Sequence, residues 1–470
     1  MLASYLQVSK SGPKVFGLIL VLSRACVQAS NAQSEIILDE LTEHRSTWDV
    51  IFSCIATVFA CTWIAVHPNV PGPDLKSRGW VFIGLHRLKL MVIAIIAPEV
   101  IIIWAFRQWM VASIISKHFG LTKTHGFFIS MGGFIGAGGT PIKIADLLQL
   151  DGLALFQKSF SVRPDLDMSS ISNITEEELQ DRSKGDALSK LVAVVQTTWF
   201  VVQYLSRFQE SLPVTQLETA TLAFAVLNIF NYVLWWHKPL DRDFYESTLA
   251  HAGIYHSTEH HMTTSRHAAP CCLACFTLSI TLVSDVHRFP FFDYTYTDAH
   301  QWFSYATYGR FTTAAFQSIL QWYRRTMGRI LFGRGWSSAY GSVPTLWAGT
   351  LDYERTWYIG YFGAAVGALF GGTHCIAWSS VFASDTERIL WRISSLVVTA
   401  VPVALAMQLA FIRILPNRKI VRGIQATTPL LILLYLLARM TLLVEAFFSL
   451  RFLQPGVLEE VSWTKFIPHL

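Results

Sequence analysis

About eight stretches of this chain are apolar enough to be read as helices crossing a lipid bilayer, and no other feature constrains the fold as strongly. A spanning helix needs about 20 mostly apolar residues. The runs 48–66, 90–106, 191–205, 217–236, 268–284, 357–374, 393–412 and 429–450 approach or reach that length. Hydrophobic residues make up 52% of the chain and charged residues only 15%, where a soluble domain carries about 25% charged residues. The expected fold class is all-α: a polytopic transmembrane helical bundle of about eight spans plus interfacial helices. The domain plan is a leader over 1–47, the bundle over 48–450 with a polar loop at 157–190, and a tail over 451–470.

Within that plan several segments read differently from simple spans. In the leader, Lys10 and Lys14 precede a short apolar run, Val15 to Leu22, followed by Ala25, Ala29 and Ser30. That order is that of a secretory signal. Arg24 sits awkwardly for cleavage, so a cleaved signal and a retained amphipathic leader both fit. The second span is interrupted by Pro98-Glu99. Gly126 to Gly139 is apolar but carries six glycines, which suits a re-entrant or interfacial segment. Ile142 to Phe156 mixes Lys143, Asp146 and Asp151 with leucine and isoleucine, an interfacial amphipathic pattern. Val286 to Arg355 is rich in aromatics and arginine and is expected to include interfacial helices. Pro402 predicts a kink in the seventh span. No internal repeat of the kind found in duplicated transporters is visible.

Basic residues set the expected orientation. Loop 67–89 holds Lys76, Arg78, Arg87 and Lys89; segment 285–356 holds Arg288, Arg310, Arg324, Arg325, Arg329, Arg334 and Arg355; loop 413–427 holds Arg413, Arg418, Lys419 and Arg422. With the first span starting in the lumen, all three face the cytoplasm. Asn173-Ile174-Thr175, a glycosylation acceptor, then falls on the lumenal side. Everything after the fifth span, 268–284, depends on that span crossing. The net charge of +5 is spread over short loops, which predicts no nucleic-acid partner. The partners expected are the lipid bilayer and an apolar small molecule. The odd cysteine count, seven, suggests no disulfide framework, and Cys272-x-x-Cys275 sits in an apolar run where thiols pack as small hydrophobes.

Two groups of residues are candidates for chemistry. The first is the histidine-rich stretch His237 to His267, with His251, His256, Glu259, His260 and His261 as candidate metal ligands. His256-Ser257-Thr258-Glu259-His260 has the H-x-x-E-H spacing of zinc peptidases. His251-x4-His256 and His256-x3-His260-His261 resemble the histidine boxes of membrane di-iron enzymes. The two boxes share His256, no second His-His pair follows, and a third zinc ligand lacks a recognisable context. The simpler reading is a polar loop without metal, so the cofactor is unknown, with none expected and iron or zinc as the alternative. The second group is the intramembrane ionisable set, Glu99, Arg439 and Glu445. Glu99 and Arg439 either pair across the bundle, as a structural ion pair, or burial keeps Glu99 protonated. Glu445 lies near a span end, where it reaches the interface. Trp104, Trp109 and His125 are read either as lining a cavity near the interface or, more simply, as aromatics of the membrane edge.

Several segments together resemble a large family of fungal polytopic membrane proteins. They are Ser53–Pro73 (SCIATVFACTWIAVHPNVPGP), Ala97–Trp109 (APEVIIIWAFRQW), Thr124–Phe134 (THGFFISMGGF), Ser183–Arg207, Thr221–Leu240 (TLAFAVLNIFNYVLWWHKPL), Gly372–Trp378 (GTHCIAW), Glu387–Ser395 (ERILWRISS) and Trp463–His469 (WTKFIPH). The resemblance implies a multi-span protein of the secretory membranes, endoplasmic reticulum or plasma membrane, sometimes linked to secondary metabolism. It implies no catalytic residues. His237 departs from the asparagine common in that pattern, which weakens a family-wide role for the histidines. The leading functional reading is a binding, sensing or accessory role. The alternatives are a membrane-embedded enzyme acting on an apolar metabolite by metal-dependent oxidation or cyclisation, centred on His237–His267, and a small-molecule transporter, which Glu99 favours slightly.

Overall fold

A computed structural model describes residues 45–71, 77, 79–134, 141, 171–181, 184–239, 343–349, 351, 353–415 and 418–461. The described residues form helices and connecting turns, with no strand among them. In chain order they are α1 (Thr47–Phe59, continued by a π-helical turn Ala60–Ile64), α2 (Trp80–Ile96), α3 (Pro98–Phe119), α4 (Lys123–Ser130), α5 (Glu176–Asp181), α6 (Lys184–Gln209), α7 (Gln216–Trp235), α8 (Tyr353–His374, continued by a 3₁₀ turn Cys375–Ser379), α9 (Asp385–Ile414) and α10 (Arg418–Phe448).

Among the described residues, seven helices are long and apolar enough to cross a membrane: Thr47–Ile64, Pro98–Phe119, Leu188–Gln209, Gln216–Trp235, Glu354–Ser379, Asp385–Ile414 and Ala426–Arg451. Six of them match sequence-predicted spans closely. The expected fifth span, 268–284, lies outside the described residues, as do the amphipathic run 142–156, Cys272, Cys275 and nearly all of 286–355. The second differs. The run 90–106 is not one helix: the chain breaks at Ala97, whose φ/ψ of −144°/70° leaves the helical region, and Pro98 opens α3 at its first position. The residue before a proline avoids helical ψ. A proline at N1 sacrifices no hydrogen bond, because that N–H has no intrahelical acceptor. By contrast α9 continues as one helix through Pro402.

Local signals explain the other ends. Ser46 with Asp49 and Thr215 with Glu218 form reciprocal capping boxes at the starts of α1 and α7, each satisfying helix N–H groups that have no partner within the helix. Thr175 and Glu178 exchange the same pair of bonds at α5. Gly120 ends α3 with φ 67°, a left-handed geometry that glycine adopts without strain.

The outside of the bundle is apolar. Leu188, Leu191, Val195, Trp199, Val202 and Leu205 form an exposed stripe on α6, and Ile389, Ile393, Leu396, Val403, Met407 and Phe411 form another on α9. Their three- and four-residue spacing marks one continuous helix face. Polar side chains sit inside instead: Asn69, Arg107, Gln108, Asn228, Asn231, Lys238, His374 and Arg439 are all buried. The helices pack closely where glycine allows it. A Cβ on Gly371 of α8 would lie 2.4 Å from the Thr399 backbone nitrogen of α9, and one on Gly126 of α4 2.4 Å from the Ala112 carbonyl oxygen of α3. Small residues at such crossings permit close backbone approach.

The tail is docked rather than free up to residue 461. Arg207 donates to the carbonyls of Pro213, Gly456, Val457 and Glu459 at 2.6–3.2 Å. Arg45 donates to the Val457 carbonyl and pairs with Glu218 at 2.6 Å. The starts of α1 and α7, the end of α6 and the segment after α10 therefore meet at one end of the bundle.

Candidate functional site

One buried polar centre lies half-way along the bundle and another at the end opposite Arg45. The first is built where α2 and α3 part. Breaking a helix leaves its last carbonyls without partners. Arg439, on α10, donates from one terminal nitrogen to the Ile95 carbonyl at 3.1 Å and faces the His374 Nε2 at 3.4 Å with the other. His374 Nδ1 donates to the Phe370 carbonyl at 2.8 Å; this fixes the neutral tautomer with Nε2 as acceptor. The guanidinium also lies over the rings of Phe370 (4.1 Å) and Phe224 (5.1 Å), an arrangement that favours a cation. Trp391 closes the group by donating to the His374 carbonyl.

Glu99 stands beside this group in the first turn of α3. It is close enough to feel the Arg439 charge and lies next to the Tyr435 hydroxyl. The Glu99 carboxyl and the Tyr435 hydroxyl face each other, neither Glu99 Oε2 nor that hydroxyl makes a well-formed hydrogen bond to any other described residue, and Glu99 forms no ion pair within 4 Å among the described residues. The direct pairing of Glu99 with Arg439 is thus replaced by a looser neighbourhood, because the guanidinium is committed to Ile95, His374 and two rings. Sequence reading found Glu99 and Arg439 but not His374, Tyr435 or the free carbonyl of Ile95. Glu445, the third of that set, is distant from them and sits near Glu387 and Arg451.

A small pocket of about 20 Å³ lies beside the break, lined by Cys61, Thr62, Ala94, Pro98, Ile101, Phe224, Asn228 and Asn231 among others. That is room for one water. Asn228 and Asn231 each spend their amide N–H, on Thr197 and on the Ala65 carbonyl, and their Oδ1 atoms lack partners among the described residues.

The second centre joins four separate parts of the chain. Gln108 of α3 donates to Asn69 Oδ1 at 2.8 Å, and its Oε1 accepts from Trp235 Nε1 at 3.0 Å and from Lys238 Nζ at 2.8 Å. Lys238 also donates to the His67 carbonyl and rests over the indoles of Trp104 (4.6 Å) and Trp235 (4.3 Å). Burial, with Lys190 nearby, pushes the Lys238 ammonium well below the usual lysine range. Asn69 donates to the Pro344 and Trp347 carbonyls, Trp104 to that of Trp347, and Arg107 twice to that of Gly349. Every group named here has a partner, so this centre holds the fold together instead of presenting a reactive group. Sequence reading placed Trp104 at the interface; it is fully buried, edge-on to Trp235 at 5.1 Å. His125, likewise read as interfacial, is buried and donates from Nε2 to the Ile174 carbonyl at 2.8 Å.

The candidate metal ligands His251, His256, Glu259, His260 and His261 lie outside the described residues. Among the described residues no group of three or more metal-binding side chains comes together. Asn173 is described and exposed.

Residues 16–125 and 118–254, together just over half of the chain, match a family of unknown function, DUF8562. The chain belongs to that family. The matched region contains Glu99 and, apart from the 343–349 segment, every side chain of the Lys238 centre; Arg439 and His374 lie beyond it. No curated protein and no solved structure matches the chain.

Proposed function

We propose that this protein is a multi-pass integral membrane protein of a fungal secretory membrane, endoplasmic reticulum or plasma membrane, with a ligand-binding role in sensing or as an accessory to metabolism. The membrane reading is supported by the inversion of polarity. Exposed stripes of leucine, isoleucine and valine surround buried arginine, lysine and asparagine, which costs solubility in water and costs little in lipid.

One observation supports the binding role above all: a buried carboxyl group, Glu99, which faces only the Tyr435 hydroxyl and has no well-formed hydrogen bond at Oε2 among the described residues, stands beside a helix break. Broken helices half-way through a membrane are where membrane proteins place small-molecule sites. The group it would receive is a neutral hydrogen-bond donor, the hydroxyl of an apolar small molecule, because the Glu99 carboxyl offers an acceptor oxygen and Arg439 repels cations from one side. The transporter reading shares this site but lacks the internal repeat.

The test uses full-length protein purified in detergent, with small molecules extracted and compared by mass spectrometry between the wild type and Glu99→Leu. A species stoichiometric with the wild type and lost from the variant supports the reading. Identical profiles from two equally folded preparations overturn it.

A further inference from the structure

We propose that α2 and α3 form a re-entrant hairpin that enters the membrane and leaves it on the same side, so that Pro98–Phe119 does not cross although it is long enough to. The inference rests on the membrane reading above and on depth along the bundle. Four helices give independent depth markers at the hairpin tip. Arg439, which meets Ile95, lies near the middle of the span Ala426–Arg451. A Cβ on Gly367, near the middle of Glu354–Ser379, would lie 3.9 Å from Glu99 and 2.9 Å from Pro402, itself near the middle of Asp385–Ile414. Phe224, which lines the pocket with Pro98, lies near the middle of Gln216–Trp235. The tip is therefore at mid-depth.

Both legs emerge at one end. On α2, Arg87 lies over Trp63 at 5.6 Å, at the end of α1, and His86 bonds Thr345. On α3, Gln108 bonds Lys238 just after α7 ends, and Arg107 bonds Gly349 just before α8 begins. Nine residues separate Arg87 from Ile96 and eleven separate Ala97 from Gln108, about 14 and 16 Å of helix. Each is about half of a 30 Å hydrocarbon core. The remaining turns of α3 project past that end, where α4 folds back on them and Thr124 and His125 hold Glu176 and the Ile174 carbonyl.

Asn173 consequently shares a face with loop 67–79, with the start of α8 and with the turn between α9 and α10. Arg413 confirms the level of that turn through its pair with Glu354 at 2.7 Å. The opposite face carries Arg45, Pro213, Glu387 and Glu459. Among the described residues Arg87, Lys89, Lys117, Lys123, Lys190 and Arg413 lie toward the first face, and this basic excess makes it cytoplasmic. A full second crossing, as the sequence suggested, would have put Asn173 opposite to loop 67–79. The hairpin removes that crossing, and the acceptor Asn173 is predicted to stay unglycosylated.

The test is labelling of single-cysteine replacements Ser77→Cys, Asn173→Cys and Glu460→Cys in the full-length chain, in sealed vesicles whose non-cytoplasmic face is outward, with a membrane-impermeant maleimide and the wild type as background. The expected result is that Ser77→Cys and Asn173→Cys label only after permeabilisation, while Glu460→Cys labels without it. Labelling of Asn173→Cys together with Glu460→Cys and apart from Ser77→Cys overturns the hairpin. Release of all variants from membranes by alkaline carbonate would instead overturn the membrane reading itself. Should a variant fail to accumulate, endoglycosidase treatment of the wild type decides: unchanged mobility is expected, and a glycan on Asn173 refutes the proposal.

Discussion

Arg439 and Ile95 are joined by a hydrogen bond of 3.1 Å that links α10 to the carbonyl left open where α2 stops. The side chain is fully buried, so it replaces, for one carbonyl, the partner that a continuous helix would have supplied. Its planar fork also reaches His374, and a lysine has only a point charge to offer two partners. Arg439→Leu is expected to lower stability by about 3 kcal/mol, the order seen when a buried charged partner is removed, and Arg439→Lys by less. Thermal unfolding in detergent measures both; equal stability of all three proteins would show that the helix break needs no cap.

Glu99 tests the same centre from its other side. Gln keeps the shape and the acceptor oxygen, so Glu99→Gln is expected to stay within about 0.5 kcal/mol of the wild type, the ordinary range of a tolerated change. Leu removes the carboxyl group that stands near Arg439 and leaves the guanidinium without it. Glu99→Leu should cost about 2 kcal/mol. A stable Leu variant would mean that Glu99 is dispensable for packing, and would leave ligand binding as its sole role.

Gly371 and Gly372 make an adjacent pair with opposite surroundings. An added methyl at Gly371 meets the Thr399 backbone at 2.4 Å, whereas nothing lies within 4 Å at Gly372. Gly371→Ala should separate α8 from α9 and cost about 1–3 kcal/mol, as overpacking does. Gly372→Ala should be neutral or gain up to about 1 kcal/mol from helix propensity. Similar unfolding temperatures for the two variants would contradict the close α8–α9 crossing.

Sequence reading located six of the long apolar helices well because such a helix advertises itself by length and apolar content alone. It misread the second for the same reason. Both legs of α2–α3 are apolar, and a hydropathy window centred on Pro98 sums half of each as if they were one. The interruption at Pro98-Glu99 was visible, but a proline marks a break without saying whether the chain continues in its direction. Glu99 and Arg439 stood out as charges in apolar runs. Asn69, Gln108 and Lys238 did not, since each sits near a span end where polar residues are ordinary, and their contacts join positions more than 30 residues apart in the chain. Arg107 carried a signal that was available: an arginine inside an apolar run has to find acceptors, and it finds the Gly349 carbonyl.

Lys238 provides a prediction in pH. Its ammonium is shifted downward in the folded protein by burial, with Lys190 adding to the effect, while in the unfolded chain it titrates near about 10.4. Between the two values the unfolded chain binds more protons at this residue than the folded one. Its contribution to stability therefore rises with pH across that window and is smallest below the folded value. Lys238→Met keeps the apolar stem between Trp104 and Trp235 but leaves the His67 carbonyl and Gln108 Oε1 without this donor, a loss of about 1–3 kcal/mol. Comparing unfolding temperatures of the wild type and Lys238→Met from pH 7 to pH 9.5 isolates the residue, because the other titrating groups are common to both. The gap between them should widen as pH rises. A gap that is constant would show that Lys238 keeps its ordinary affinity for a proton in the folded state, and one that narrows would show that the two indoles and the two acceptors hold the ammonium charged.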